Sequence, residues 1–176
     1  RPFYAMRFIR GDSLKIAAER FHAQRPAAYE SVEFRKLLGR FIDVCQAINY
    51  AHSRGILHRD LKPGNVMLGK YGETLVVDWG LAKSLGRSEV DTQAEEAALQ
   101  PASGSGTAPT QMGTAMGTPP YMSPEQADGR LDLLGPASDV YGLGATLYFL
   151  LTGRAPVVDD YLGIVLQRVQ AGDFPP

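Results

Sequence analysis

Disulfides, membrane spans and a charge surplus are all missing from this sequence, and each shortage removes a class of function. One cysteine, Cys45, occurs in 176 residues. No internal disulfide can form, and a reducing, cytoplasmic setting is the simple expectation. The formal net charge is −1, which offers no electrostatic footprint for nucleic acid or an anionic membrane surface. The longest uncharged apolar run, Val140 to Leu151, is too short to cross a bilayer, and no signal-peptide pattern opens the chain. Neither a G-x-G-x-x-G stretch nor a Val-Ala-Ile-Lys-like strand occurs, and the chain begins at Arg1 rather than at a methionine. What is present is 44% apolar content over a length that can bury one sizeable core.

The polar residues with chemical promise are concentrated. His58-Arg59-Asp60-Leu61-Lys62-Pro63-Gly64-Asn65 is followed, thirteen residues after the asparagine, by Asp78-Trp79-Gly80. Moving a phosphoryl group from ATP to a hydroxyl is a problem of charge and alignment, and few protein groups are needed for it. Asp60 could accept a hydrogen bond from the acceptor hydroxyl and take its proton late. A carboxylate is a weak base, so orientation is its larger contribution. Lys62 can set an ammonium against the γ-phosphate as charge develops there. Asn65 and Asp78 offer hard oxygens from two separate segments, which suits Mg²⁺, or Mn²⁺ in its place.

These residues resemble the eukaryotic-type protein kinase family, in its bacterial-type serine/threonine branch. His58-Arg59-Asp60 with Asn65 resembles the catalytic loop, and Asp78-Trp79-Gly80 the metal-binding Asp-Phe-Gly with tryptophan replacing phenylalanine. Gly117-Thr118-Pro119-Pro120-Tyr121-Met122-Ser123-Pro124-Glu125 resembles the end of an activation segment, and Ser138-Asp139-Val140-Tyr141-Gly142 the start of the helix beneath the site. Four motifs in family order are far more specific than any one of them. The resemblance implies an α+β fold: a mainly helical C-terminal lobe with the hinge strand and short catalytic-loop strands, and an N-terminal lobe largely missing. Residues 1–12 would be the last N-lobe strand and hinge, and 13–176 the C-lobe.

The resemblance also implies roles. Met6, Phe8 and Ile9 of the hinge, with Ser13 and Met67, would contact the nucleotide, together with Lys62 and Asp78. Thr118 would bridge Asp60 and Lys62, Trp79 would pack beneath His58, and Gly80 would complete its motif. Glu125 would pair with an arginine from later helices, and Asp139 would accept backbone hydrogen bonds from the catalytic loop. Plainer readings stand beside these: Met67 as an ordinary core methionine, Thr118 as an exposed turn residue, and Asp139 as a helix N-cap.

Around the motifs the pattern is mainly helical. Ser13 can cap a helix to about His22, and Ser31 a longer one carrying Leu37, Phe41, Val44, Ile48 and Ala51 to near Gly55. Ile56-Leu57, Val66 to Leu68 and Thr74 to Val77 read as short strands, and Phe3 to Ile9 as another. Ser138 to about Thr152 reads as a buried helix, and Asp159 or Asp160 as the cap of a last amphipathic one. Residues 84–116, rich in small and polar groups, read as a flexible activation-loop insert in which Thr110 and Thr114 are the favoured phosphosites, facing Arg59.

The functional expectation is transfer of phosphate from Mg-ATP to serine or threonine hydroxyls on protein substrates. An N-lobe outside the chain would be needed to complete the ATP site, and the chain by itself would be inactive or nearly so. Two alternatives stay open. One is a pseudokinase acting as a scaffold, and the other is a small-molecule phosphotransferase, which shares the aspartate–asparagine–aspartate set but not usually the Lys-Pro or Gly-Thr-Pro-Pro-Tyr segments.

Overall fold

Serine hydroxyls open three helices. In the computed structural model, which describes residues 11–24, 29–79, 82–84 and 117–174, Ser13 caps α1 (Leu14–Ala23) by accepting from the Ile16 amide at 3.3 Å. Ser31 caps α2 (Val32–Ser53) through the Phe34 amide at 3.2 Å. Ser123 caps the short α3 (Pro124–Ala127). Each hydroxyl satisfies an amide that the first helical turn leaves unpaired.

The later helices depart from the sequence reading at their starts. α4 (Pro136–Thr152) begins two residues ahead of Ser138, with Gly135 at the cap. Proline is favoured at the first helical position because its missing N–H had no partner there. α5 (Leu162–Ala171) is capped by neither Asp159 nor Asp160. Tyr161 occupies the cap without a side-chain bond, and Asp159 instead accepts from the Tyr161 amide at 3.0 Å, closing the turn ahead of the helix.

Among the described residues, five short strands form two small antiparallel sheets. β1 (Asp12–Ser13), β3 (Val66–Leu68) and β4 (Thr74–Val76) pair in the order β1-β3-β4, with Met67 between Ser13 and Leu75. β2 (Ile56–Leu57) pairs with β5 (Lys83–Ser84). The loop 58–65 therefore leaves one sheet and enters the other through a 3₁₀ turn at Pro63–Asn65. The expected strand over Phe3 to Ile9 and the insert beyond Ser84 lie outside the described residues.

The main core joins α1, α2 and α4 beneath that loop. Leu14, Ala18 and Phe21 from α1 meet Phe34, Leu37, Val44 and Ile48 from α2, with Phe149 and Leu150 from α4. Leu61 and Val66 belong to the same cluster, so the loop is tied to the core by its own apolar residues. Burying each large aliphatic side chain contributes about 1.5–3 kcal/mol. Gly142 shows how close α4 passes: a Cβ there would meet the Leu61 Cβ at 3.1 Å and its carbonyl at 3.2 Å. A second cluster, Met122, Ala127, Val157, Val165 and Val169, seats α3 on α5. Among the described residues no helix is long and apolar enough to cross a membrane.

Candidate active site

Asp139, near the start of α4, fixes the entry of the loop. Its side chain is almost wholly buried, where an unpaired carboxylate would be costly. Three donors satisfy it: the His58 amide at 2.9 Å and His52 Nε2 at 2.8 Å on one oxygen, and the Arg59 amide at 2.8 Å on the other. Asp139 sits in the first turn rather than at the cap, so the N-cap reading is set aside. Arg59 takes a left-handed backbone with φ 67°, a strained conformation for a non-glycine residue. Bonds on both sides of Arg59 hold it there, its amide to Asp139 and its carbonyl to Gln126.

The next residue, Asp60, is the centre of a ring of donors. Lys62 Nζ donates to its Oδ2 at 2.7 Å and Asn65 Nδ2 to the same oxygen at 3.0 Å. The Thr118 hydroxyl donates to Oδ1 at 2.8 Å and accepts from Lys62 Nζ at 2.6 Å. Residues 60, 62 and 65 share one loop, but Thr118 arrives from 58 positions away. Thr118 is thus a bridging group rather than an exposed turn residue.

His58 lies under this ring and is fully buried. Its Nδ1 accepts from the Asp60 amide at 3.3 Å, and its Nε2 lies 3.0 Å from the Val77 carbonyl. An amide only donates and a carbonyl only accepts, so the ring is neutral with its proton on Nε2. Burial pushes the His58 pKa down, outweighing the Val77 carbonyl and the carboxylates of Asp139, Asp60 and Asp78, all of which raise it. Trp79 packs against His58 with ring centroids 4.6 Å apart in an edge arrangement, and its Nε1 donates to the Val76 carbonyl at 3.0 Å.

Two oxygens here suit a hard cation. Asn65 spends its Nδ2 on the Asp60 carbonyl at 2.8 Å and on the carboxylate, which fixes the amide's orientation and leaves Oδ1 with no protein donor among the described residues. The Val77 amide donates to the Asn65 carbonyl at 2.9 Å, bringing the exposed Asp78 beside it with φ 64°. Among the described residues no group of three or more His, Cys, Asp or Glu side chains is arranged to hold a metal ion by itself. A cation would therefore be held by an amide oxygen and one carboxylate plus phosphate oxygens and water, a donor set that fits Mg²⁺.

The segment after Gly117 is latched from α3. A Cβ on Gly117, at φ 129°, would come within 3.2 Å of the Arg59 carbonyl, so only glycine fits where this strand of chain crosses the loop. Gln126 donates to that same carbonyl at 2.6 Å. Glu125 accepts from the Ser138 hydroxyl at 2.5 Å. Partial burial raises its pKa, but the bonds from Ser138, its own backbone and Ser123, with the Arg130 charge, outweigh that and leave it lowered.

Of the sequence-read residues, Asp60, Lys62, Asn65 and Thr118 converge directly, and His58, Arg59, Trp79, Asp78 and Asp139 adjoin them. Ser13 spends its hydroxyl on the α1 cap, and Met67 is half-buried between β1 and β4. Met6, Phe8, Ile9, Gly80, Thr110 and Thr114 lie outside the described residues. Sequence reasoning missed His52 and Gln126. Nothing local marks His52, whose partner is 87 residues away. Gln126 had a signal, since Ser123-x-x-Gln126 is a capping-box spacing.

A family model described as a protein kinase domain matches residues 5–170. Over 161 residues, 88% of the chain, the sequence is 41% identical to the serine/threonine-protein kinase PknD of Protochlamydia amoebophila, covering 16% of that protein. It is 34% identical over 176 residues to the serine/threonine-protein kinase PknB of Mycolicibacterium smegmatis, covering 99% of this chain and 24% of that protein. The PknD of Chlamydia pneumoniae is 38% identical over 165 residues, again covering 88% of this chain and 16% of the relative. The chain thus spans between 16% and 24% of the length of these relatives. With residues 5–170 inside the family match, the chain belongs to the protein kinase domain family, beside the bacterial serine/threonine kinases.

Proposed function

We propose that the protein transfers the γ-phosphoryl group of Mg-ATP to serine or threonine hydroxyls on protein substrates, with Asp60 facing the acceptor. The observation that carries this reading is the ring of donors on Asp60. A carboxylate offers about four lone-pair positions. Lys62, Asn65 and Thr118 take three, which leaves one for a hydroxyl and fixes its direction. The acceptor oxygen forms a bond to the γ-phosphorus while the bond from that phosphorus to the β,γ-bridging oxygen breaks. ADP leaves with the electron pair, and the hydroxyl proton passes to Asp60 late in the transfer.

Lys62 stands beside Asp60 with its ammonium directed at the same space, where it would offset charge on the transferring group. Asn65 and Asp78 would hold Mg²⁺, which when bound neutralises phosphate charge and orients the chain of phosphates. Contacts to the α- and β-phosphates belong in this reading to segments whose motifs the chain does not contain. The single Cys45, half-buried with its thiol pKa raised by burial, suits a reducing cytoplasm.

The test is a phosphotransfer assay on the full-length protein with Mg-ATP and a generic protein substrate, set against Asp60→Asn. The variant is expected to lose at least about a hundredfold in kcat, as orientation and proton acceptance both go. Equal activity of the two would refute the assignment. Phosphorylation of an aminoglycoside or choline but not of protein would shift the substrate class to small molecules.

A further inference from the structure

Between Asp139 and the donor ring lies one peptide unit, Arg59–Asp60, on which the direction of the Asp60 side chain depends. Its N–H donates to His58 Nδ1 at 3.3 Å and its carbonyl accepts from Gln126 Nε2 at 2.6 Å. Both ends of the peptide plane are thereby held, one from the loop itself and one from α3. Gln126 is 3% exposed. Its amide has only one workable orientation, because Oε1 accepts from the Ser123 amide at 3.0 Å while Nε2 meets a carbonyl. A flip would set donor against donor and acceptor against acceptor.

Two tasks of this side chain are separable. Through Oε1 it completes the capping box of α3, a local task that glutamate performs as well at this position. Through Nε2 it reaches 67 residues back to the strained turn at Arg59, a task that needs an N–H. Gly117 crosses between them, with a built Cβ falling 3.5 Å from Gln126 Nε2 and 3.2 Å from the Arg59 carbonyl. The stretch 117–126 thus meets the loop at two points, the Thr118 hydroxyl on Asp60 and Lys62 and, from α3, the Gln126 amide on Arg59.

We infer that Gln126 is a positioning residue for phosphoryl transfer: its amide N–H sets the Arg59–Asp60 peptide plane, and so the Asp60 carboxylate, in register with the segment that carries Thr118. The inference rests on the phosphotransferase reading above. It places part of the alignment of the reaction outside the loop, on a helix of four residues, and makes the end of that segment a determinant of turnover rather than of nucleotide binding.

The test uses the full-length protein and two substitutions that separate the tasks. Gln126→Glu keeps the capping acceptor and removes the N–H; Gln126→Met keeps the bulk and removes both polar atoms. In each variant that melts like the wild type, kcat is expected to fall about tenfold or more while KM for Mg-ATP stays within about twofold, since a misplaced reacting group costs turnover and not ground-state binding. A folded Gln126→Glu with wild-type kcat would reduce Gln126 to a helix cap and overturn the inference. So would failure of both variants to fold, because the amide would then be holding the lobe together rather than aligning the loop. Wild-type protein inactive toward every hydroxyl substrate would instead sink the phosphotransferase reading, and that outcome is recognised without either variant.

Discussion

Replacing Asp139 by asparagine changes one atom type at the base of the site, and the consequence can be worked through. The carboxylate serves three donors with two oxygens, whereas the amide offers one oxygen and one NH₂. The less damaging rotamer keeps the oxygen toward the His58 amide and His52, and turns the NH₂ toward the Arg59 amide. A buried N–H then faces another donor at a site 2% exposed. Leaving such a group unsatisfied costs about 1–3 kcal/mol, and the two surviving bonds lose their charge assistance. Relief from desolvating a carboxylate returns part of this, for a net loss of about 2–4 kcal/mol. In a lobe of this size that is a fall in Tm of about 5–15 °C. Because the orphaned N–H belongs to strained Arg59, one residue from Asp60, phosphotransfer should drop as well. Thermal unfolding of the full-length protein and its Asp139→Asn form, followed by circular dichroism, checks the stability. A Tm within about 2 °C of wild type would mean that Asp139 anchors nothing, and the account of the loop would fail with it.

His58 gives a pH dependence of known sign. Its folded pKa lies below the ordinary histidine value, so below about pH 6.5 the unfolded chain binds a proton that the folded chain refuses. The stability it contributes is present above that pH and is lost progressively as pH falls toward the folded pKa. Urea midpoints at pH 7.5, 6.5 and 5.5 should decline more steeply for wild type than for His58→Gln; parallel declines would contradict the neutral, buried ring. Thr146 is 2% exposed in α4, and its hydroxyl finds no hydrogen-bond partner among the described residues. Thr146→Val replaces an unsatisfied polar atom by a methyl of like shape and should raise stability by about 1 kcal/mol. A loss of that size in denaturant unfolding would point to a partner for this hydroxyl.

What could be read from the sequence divides along the distance over which each residue acts. Ser13 and Ser31 announce their helices because a cap bonds three residues ahead, and that spacing is written in the chain. The strands β2, β3 and β4 were legible because their β-branched and aliphatic runs border turn residues. The start of α4 was placed at Ser138, where the apolar stretch begins, while the glycine and proline ahead of it supply the cap and the first turn. Asp159 and Asp160 misled as caps: Asp159 does bond an amide two residues on, but it closes a turn instead of a helix.

The site itself was legible only where its spacing could be matched to a family pattern, and composition alone would not have joined Thr118 to Asp60 across 58 positions. His52 shows the limit most clearly. It sits in the last turn of α2, where a polar residue needs no explanation, and its meaning comes wholly from a carboxylate 87 residues further along. Together His52, Gln126 and Asp139 approach the loop from three different helices, and each bonds to Arg59, to its neighbour, or to the group that does. A strained turn of this kind persists only when the surroundings over-determine it. Packing of α2, α3 and α4 around the loop is therefore what holds Arg59 in its left-handed backbone, and the direction of Asp60 is a property of the whole lobe.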